Sequence, residues 1–169
     1  MMELKIKKMR DTAILPTFGS AEAAGVDLYA CIAGVKSFTV IDGRGRKKEE
    51  KLNGLHAKKI WISPGETVLI PSGIACDFPD GYFGQMVPRS SVGTKRGLTF
   101  ANTLGIIDFD YKGEIFMAFK NVSEKSQLIE HGERLAQLIL LPYIRYNIVE
   151  TDELSTTERG EGGFGSTGK

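Results

Sequence analysis

The sequence predicts an all-β domain: a sandwich, a jelly roll or a barrel. Three observations carry that expectation. Short apolar or alternating runs recur at close spacing from Lys59 onward, and turn signals such as Pro64-Gly65 and Pro79-Asp80-Gly81 separate them. Almost no stretch keeps a helical period over ten residues. At 169 residues the chain suits one domain with a sizeable core.

Composition narrows the function class. Charges nearly cancel at +1, so no global field calls for nucleic acid or an acidic membrane. Cys31 and Cys76 lie far apart in apolar runs, without CxxC or zinc spacing, and are expected as buried free thiols in a reducing cytosol. The opening MMELKIKKMR lacks the apolar centre of a signal peptide, and no run reaches membrane-spanning length. A soluble cytoplasmic protein is expected.

In chain order, Glu3 to Met9 alternates as a half-buried strand. In AAGVDLYACIA at 23–33, Gly25 precedes a short strand in which Val26, Leu28 and Ala30 share one face; Asp27 and Tyr29 fall on the other. Residues 34–59 are glycine-spotted and basic, and read as a surface insertion. A hairpin around Asp42-Gly43 and a turn of helix at 47–52 are expected there. Such a stretch is either a solvated loop or a contact for a polyanion or partner. KIWI, TVLIPSGIACDF and YFGQMVP then read as strands.

PRSSVGTKRG at 88–97 places Arg89 beside Ser90 and Ser91, followed by Gly93, Lys95 and Arg96. Either serine would cap a short helix whose N-terminus attracts anions. The choice lies between a basic surface turn and a phosphate cradle, since guanidinium and hydroxyl donors match phosphate oxygens. LTFANTLGIIDFDYKGEIFM at 98–117 reads as a hairpin whose polar turn holds Asp108, Asp110, Tyr111 and Gly113. Those carboxylates are either turn chemistry or parts of a site. Arg134 and Gln137 begin the apolar run RLAQLILLPYIRYNIVE, as edge polar groups or as donors aimed at a site. His56 and His131 are isolated, and His131 reads as decoration of a loop.

Beyond Glu150 the apolar residues thin out, and five of the last ten residues are glycine, as in a disordered tail. GFGSTGK at 163–169 matches the start of the NTPase phosphate loop. It lacks that loop's Ser/Thr and the following helix, so an NTPase of that kind is set aside. The chemistry survives: glycine-rich backbone wraps phosphates, with Arg159, Ser166 and Thr167 as donors. Phe164 amid glycines is expected to cover a flat ligand such as a base.

Five stretches together resemble the homotrimeric dUTPase (dUTP diphosphatase) family: AGVDLYA at 24–30, PRSS at 88–91, NTLGIIDFDYKGE at 102–114, GERLAQL at 132–138 and RGEGGFGSTG at 159–168. They occur in the family's order and spacing over almost the whole chain. Two departures stand out: residues 34–58, where most members have a short turn, and Ser91, where a glycine usually follows the Arg-Ser pair. The serine pair is also similar to the related dCTP deaminases, which share the fold.

The resemblance implies a distorted jelly-roll (β-clip) subunit over 1–150 and a flexible glycine-rich C-terminal arm, 151–169, that closes a neighbouring active site. It implies a homotrimer in which each site joins the hairpin of one chain, the phosphate-binding motifs of another and the tail of a third. It further implies Mg²⁺ and hydrolysis of dUTP to dUMP and pyrophosphate, which keeps uracil out of DNA and supplies dUMP for thymidylate synthesis. Asp108 would orient and deprotonate the attacking water, and Asp27 would hold waters of the Mg²⁺ shell. Arg89, Ser90 and Gln137 would take phosphates, with Ser91 beside them as a further substrate-binding residue and Arg159, Ser166 and Thr167 closing over the γ end. Phe164, with Gly165 beside it, would lie on the uracil.

Asn102, Gly105 and Ile107 would line the base slot, and Tyr111, with Lys112 next to it, would face the deoxyribose. A slot that answers the uracil edge leaves buried groups unpaired against cytosine, a discrimination of roughly 10⁴ or more. Thymine is refused by lack of room for its methyl. No membrane or nucleic-acid partner is expected, while a partner for the insertion stays open. The alternatives are a dCTP deaminase or bifunctional relative, and a nucleotide-switched binding protein.

Overall fold

Each run from Lys59 to Pro88 forms a strand, and so does much of the insertion before it. The computed structural model describes residues 2–52 and 58–163, so His56, Phe164, Gly165, Ser166 and Thr167 lie outside the described residues. The chain opens with β1 (Lys5–Lys8), β2 (Thr17–Phe18) and β3 (Gly25–Tyr29). The insertion contributes β4 (Ser37–Ile41) and β5 (Lys47–Lys51). β6 (Lys59–Ile62), β7 (Thr67–Pro71), β8 (Ile74–Asp77) and β9 (Tyr82–Pro88) follow. A short helix, α1 (Ser90–Arg96), leads to β10 (Leu98–Phe100), β11 (Gly105–Ile107) and β12 (Phe116–Asn121). β13 (Gln127–Glu130) and β14 (Arg134–Pro142) complete the body.

Two five-stranded antiparallel sheets, β10-β12-β7-β4-β5 and β11-β9-β14-β3-β2, are supplemented by the pairs β1-β8 and β13-β6. One apolar cluster draws on both large sheets: Val68, Ile70, Met117 and Phe119 from the first, Leu28, Met86, Ala136 and Leu138 from the second. This is the two-layer, jelly-roll-like β architecture expected from the sequence. Among the described residues, no helix is long and apolar enough to cross a membrane.

The turn of helix expected at 47–52 is instead β5. KKEEK has no apolar residue to mark a period, and β4 alongside supplies the backbone partners, from Ser37 opposite Lys51 to Ile41 opposite Lys47. Across the strands, the Ser37 and Thr39 hydroxyls donate to the Glu49 carboxylate. The turn between β4 and β5 closes on Asp42, whose Oδ1 accepts from the Arg44 and Arg46 N–H groups at 2.9 Å each.

The stretch 98–117 also departs from the expected hairpin. β10 pairs with β12 in one sheet, whereas β11 pairs with β9 in the other. Residues 108–115 therefore cross between sheets instead of closing a two-stranded ladder. The switch occurs at Thr103, which has φ 66°, and the Leu104 N–H donates to the Asn102 carbonyl at 2.7 Å. Gly105 then lies flat on β9, where an added Cβ would stand 2.9 Å from Met86 Cε.

β14 ends at Pro142, and none of the described residues beyond it is in a helix or strand. Ile144, Tyr146 and Ile148, at alternate positions of the segment that follows, are 85, 80 and 90% exposed.

Among the described residues, buried side-chain polar groups are answered. Asn121, fully buried, donates to the Ile62 and Lys125 carbonyls at 2.8 Å each and accepts from the Ser123 N–H and hydroxyl. Asn121→Ala strands several of these partners and is expected to lower unfolding free energy by about 2–4 kcal/mol. A fall in the urea midpoint at unchanged m checks it.

Candidate active site

The predicted site residues fall into two groups at opposite ends of β9. At one end, Ile107 of β11 pairs with Gly84, which projects the next residue, Asp108, beyond the ladder. Asp108 and Asp110 are exposed and, with Phe83, Ile106, Phe109, Tyr143 and Arg145, line an open cleft of about 490 Å³. Tyr111 N–H donates to the Asp108 carbonyl at 3.1 Å, closing a turn below the carboxylate.

The Tyr111 hydroxyl donates to the Glu114 carbonyl at 2.8 Å, and its ring lies so close over Gly113 that an added Cβ would stand 2.6 Å from Oη. Only glycine at 113 permits that fold of the ring. Lys112 is turned away: its Nζ donates to Asp77 Oδ1 and to the Phe109 carbonyl, each at 2.7 Å. That ammonium holds the Asp77 carboxyl below the usual carboxylate range. Asn102 is exposed in the turn before β11.

At the other end, Asp27 of β3 is 2% exposed between two arginines. Arg89 Nε stands 3.3 Å from one carboxylate oxygen, and Arg134 Nη1 stands 3.1 Å from the other. Arg134 begins β14, which lies between β3 and β9, so it is no edge group: it is a donor aimed at Asp27. Gln137 sits opposite Asp27 on one side and opposite Val87 on the other.

Neither serine caps α1, contrary to the sequence reading. Arg89 itself is the N-cap residue, with extended backbone and no side-chain cap bond, so Ser90 and Ser91 occupy the first helical turn. Arg96 anchors the helix to the rest of the chain, through the Gln127 amide oxygen, the Glu133 carboxylate and the Leu128 carbonyl.

His131 is more than decoration. Its Nδ1 accepts from the Ile32 N–H at 3.1 Å and the Ala33 N–H at 3.4 Å, fastening the segment after β3 to the turn before β14. Sequence carried no signal for this bond, because the partners are backbone groups 98 and 99 residues away. Tyr143 and Arg145 in the cleft were likewise missed, since an apolar run reads as core. Arg159 lies in the exposed segment after β14, donating to the Gly162 carbonyl at 2.7 Å.

The fold and these two clusters define an all-β protein with an exposed carboxylate loop at one end of a shared strand and, at the other, a buried carboxylate flanked by two arginines that reach solvent. Comparison with known proteins gives the family. The dUTPase family model matches residues 54–168. The chain is 40% identical over 167 residues to deoxyuridine 5'-triphosphate nucleotidohydrolase of Hydrogenobaculum sp. (strain Y04AAS1), covering 99% of each chain. The enzyme of that name from Escherichia phage T5 is 41% identical over 162 residues, with 95% of this chain and 96% of that one covered. Among solved structures, the Staphylococcus bacteriophage 80alpha dUTPase with dUPNHPP superposes with TM-score 0.78 at 26% identity, covering 99% of both chains.

The chain belongs to the dUTPase family. It is a hydrolase, a dUTP diphosphatase.

The His131 bond has a pH consequence. Burial, with Lys58 nearby, holds the imidazole pKa below its ordinary value. Below about pH 6.5 the unfolded chain binds a proton that the native chain resists. The His131 contribution is thus present above that pH and fades as pH falls through the folded value. Relative to His131→Asn, the wild-type advantage in urea unfolding is expected to shrink from pH 7.5 to pH 5; an advantage constant over that range would count against the bond.

Proposed function

We propose that the chain hydrolyses dUTP to dUMP and pyrophosphate by water attack on the α-phosphorus, in sites shared among the subunits of a homotrimer. The observation that carries this reading is the separation of the two clusters. From Gly84, beside the Asp108 loop, to Arg89 is five residues along β9. At ~3.4 Å per residue that is about 17 Å between backbones, so one chain alone holds the water-aligning carboxylate and its phosphate-binding arginine well apart. Two chains side by side bring an Asp108 loop of one to the arginine cluster of the other.

The segment after β14 supports the same assembly. Ile144, Tyr146 and Ile148 alternate like one face of a strand yet stand in water on a single chain. A neighbouring subunit covers such a face. Arg159 then approaches a neighbour's triphosphate, and Phe164, Gly165, Ser166 and Thr167 complete the closure over base and phosphates.

The residues divide the work as follows. Backbone around Gly105 and Ile107, with the Asn102 amide, answers the acceptor–donor–acceptor edge of uracil, and the Tyr111 ring packs on the deoxyribose. Asp108 holds the attacking water in line with the α-phosphorus. A carboxylate is a weak base at neutral pH, so alignment is the larger part of its effect. Arg89, Ser90, Ser91 and Gln137 take phosphate oxygens as charge develops.

Mg²⁺ fits this chain in a limited way. Among the described residues, no group of three or more His, Cys, Asp or Glu is placed to hold a metal. Asp27 is one buried carboxylate with an arginine nitrogen near each oxygen, which leaves acceptor capacity for an ordered water but not for a metal cage. The ion would rest on the substrate's own phosphates, with Asp27 holding one of its waters, and when bound it neutralises phosphate charge. Cys31 and Cys76 are buried and unbridged, consistent with action in the reducing cytoplasm.

Pyrophosphate release across dUTP, dTTP, dCTP and UTP, with and without Mg²⁺, tests the reading. Selective, Mg²⁺-dependent turnover of dUTP is expected; ammonia released from dCTP would overturn it. Asp108→Asn is expected to keep nucleotide affinity within about tenfold while kcat falls by at least ~10²-fold. For the assembly, Tyr146→Asp with Ile148→Asp is expected to sediment as monomer without activity; an active monomer would refute the shared site, and an active trimer would refute the role of this segment in the contact.

A further inference from the structure

We infer that the Arg10–Glu114 ion pair is a positioning clamp for the loop that carries Asp108. The inference rests on the role proposed above for Asp108. The loop hangs between two supports. On one side Ile107 is held in the β11–β9 ladder. On the other the chain is gripped at Glu114, whose carboxylate receives Arg10 Nε at 2.7 Å and Nη2 at 2.8 Å, on separate oxygens. That fork-to-fork geometry fixes direction as well as distance. The Glu114 side chain is only 12% exposed, so the pair is shielded more than an ordinary surface bridge.

A third donor closes the arrangement. Gly73 N–H reaches Glu114 Oε1 at 3.0 Å. Gly73 has φ 75°, and an added Cβ there would stand 2.6 Å from Cys31 Sγ, so this donor is set by packing. The Met9 N–H donates to the Gly73 carbonyl at 2.8 Å, which ties the residue before Arg10 to the same turn. Arg10, Gly73 and Glu114 thus form one unit from three distant parts of the chain.

From Glu114 the constraint runs to the chemistry. Its carbonyl accepts the Tyr111 hydroxyl at 2.8 Å, and Tyr111 N–H holds the Asp108 carbonyl at 3.1 Å. Neither Arg10 nor Glu114 lines the cleft containing Asp108. They act through Tyr111 and the loop backbone, and touch no substrate. A misplacement of about 1 Å at an aligned water is enough to cost on the order of 10²-fold in rate.

The test uses the full chain as the assembled enzyme, with Glu114→Gln, Arg10→Gln, Arg10→Lys, the double variant Arg10→Gln/Glu114→Gln and Asp108→Asn in parallel. Glu114→Gln is expected to lower kcat by about 10- to 100-fold with KM within about threefold. Amide exchange should quicken over 108–113 and at Gly73, whose N–H the carboxylate receives, and stay unchanged over 59–70. Arg10→Lys, which keeps the charge but not the fork, should recover part of kcat. The double variant should resemble the worse single, as coupled partners do.

If Glu114→Gln does not fold, the uncharged double variant carries the same comparison. A kcat within about twofold of wild type, a loss confined to KM, or exchange that rises throughout the body would each overturn the clamp. An active Asp108→Asn would instead overturn the reading of Asp108. An inactive Asp108→Asn beside a fully active Glu114→Gln would remove only the clamp.

Discussion

Strand β9 is paired on both sides, by β11 and by β14, and the placement of Asp108, Arg89 and Gln137 follows from that double ladder. Its register sets Ile107 opposite Gly84 and so presents Asp108 at one end. At the other, Pro88 pairs with Ala136 and hands the chain to Arg89, while Gln137 lies between Val87 and Asp27. A slip of one residue would turn Gln137 toward the opposite face and remove Gly84 from Phe78, whose ring leaves no room for an added Cβ. Packing and site geometry are therefore one constraint.

Charge burial is handled locally at each end. Asp27 is buried with a guanidinium on each side; removing either partner of such a cluster costs more than its formation contributes, because the charge left behind has no water. The Asp108 loop follows the opposite rule: its carboxylates stay in solvent, and only its far support, Glu114, is shielded. A buried anchor and an exposed working group let the loop be rigid and still meet a substrate.

Much of the strand pattern was legible because period two and turn residues are local properties. TVLIPSGIACDF and YFGQMVP could be read as strands without knowing their partners. The second half of the insertion's hairpin could not, since KKEEK has no apolar residue and its strand character comes from the neighbouring Ser37–Ile41. The 98–117 stretch looked like a hairpin because its apolar runs are adjacent in sequence; which sheet each run joins is a long-range matter. His131 and Arg10 show the same limit at single residues: each is held by groups about a hundred positions away.

By itself the sequence determined the β class, the separate motifs and the family they resemble, because residue type and short spacing carry that information directly. Tertiary structure decided that Asp108 and Arg89 stand at opposite ends of one strand, that Asp27 lies between two arginines, and that Arg10 grips the end of the acidic loop. The reason is physical: pairing between strands and the burial of charge depend on which distant segments come together, and no local pattern encodes that choice.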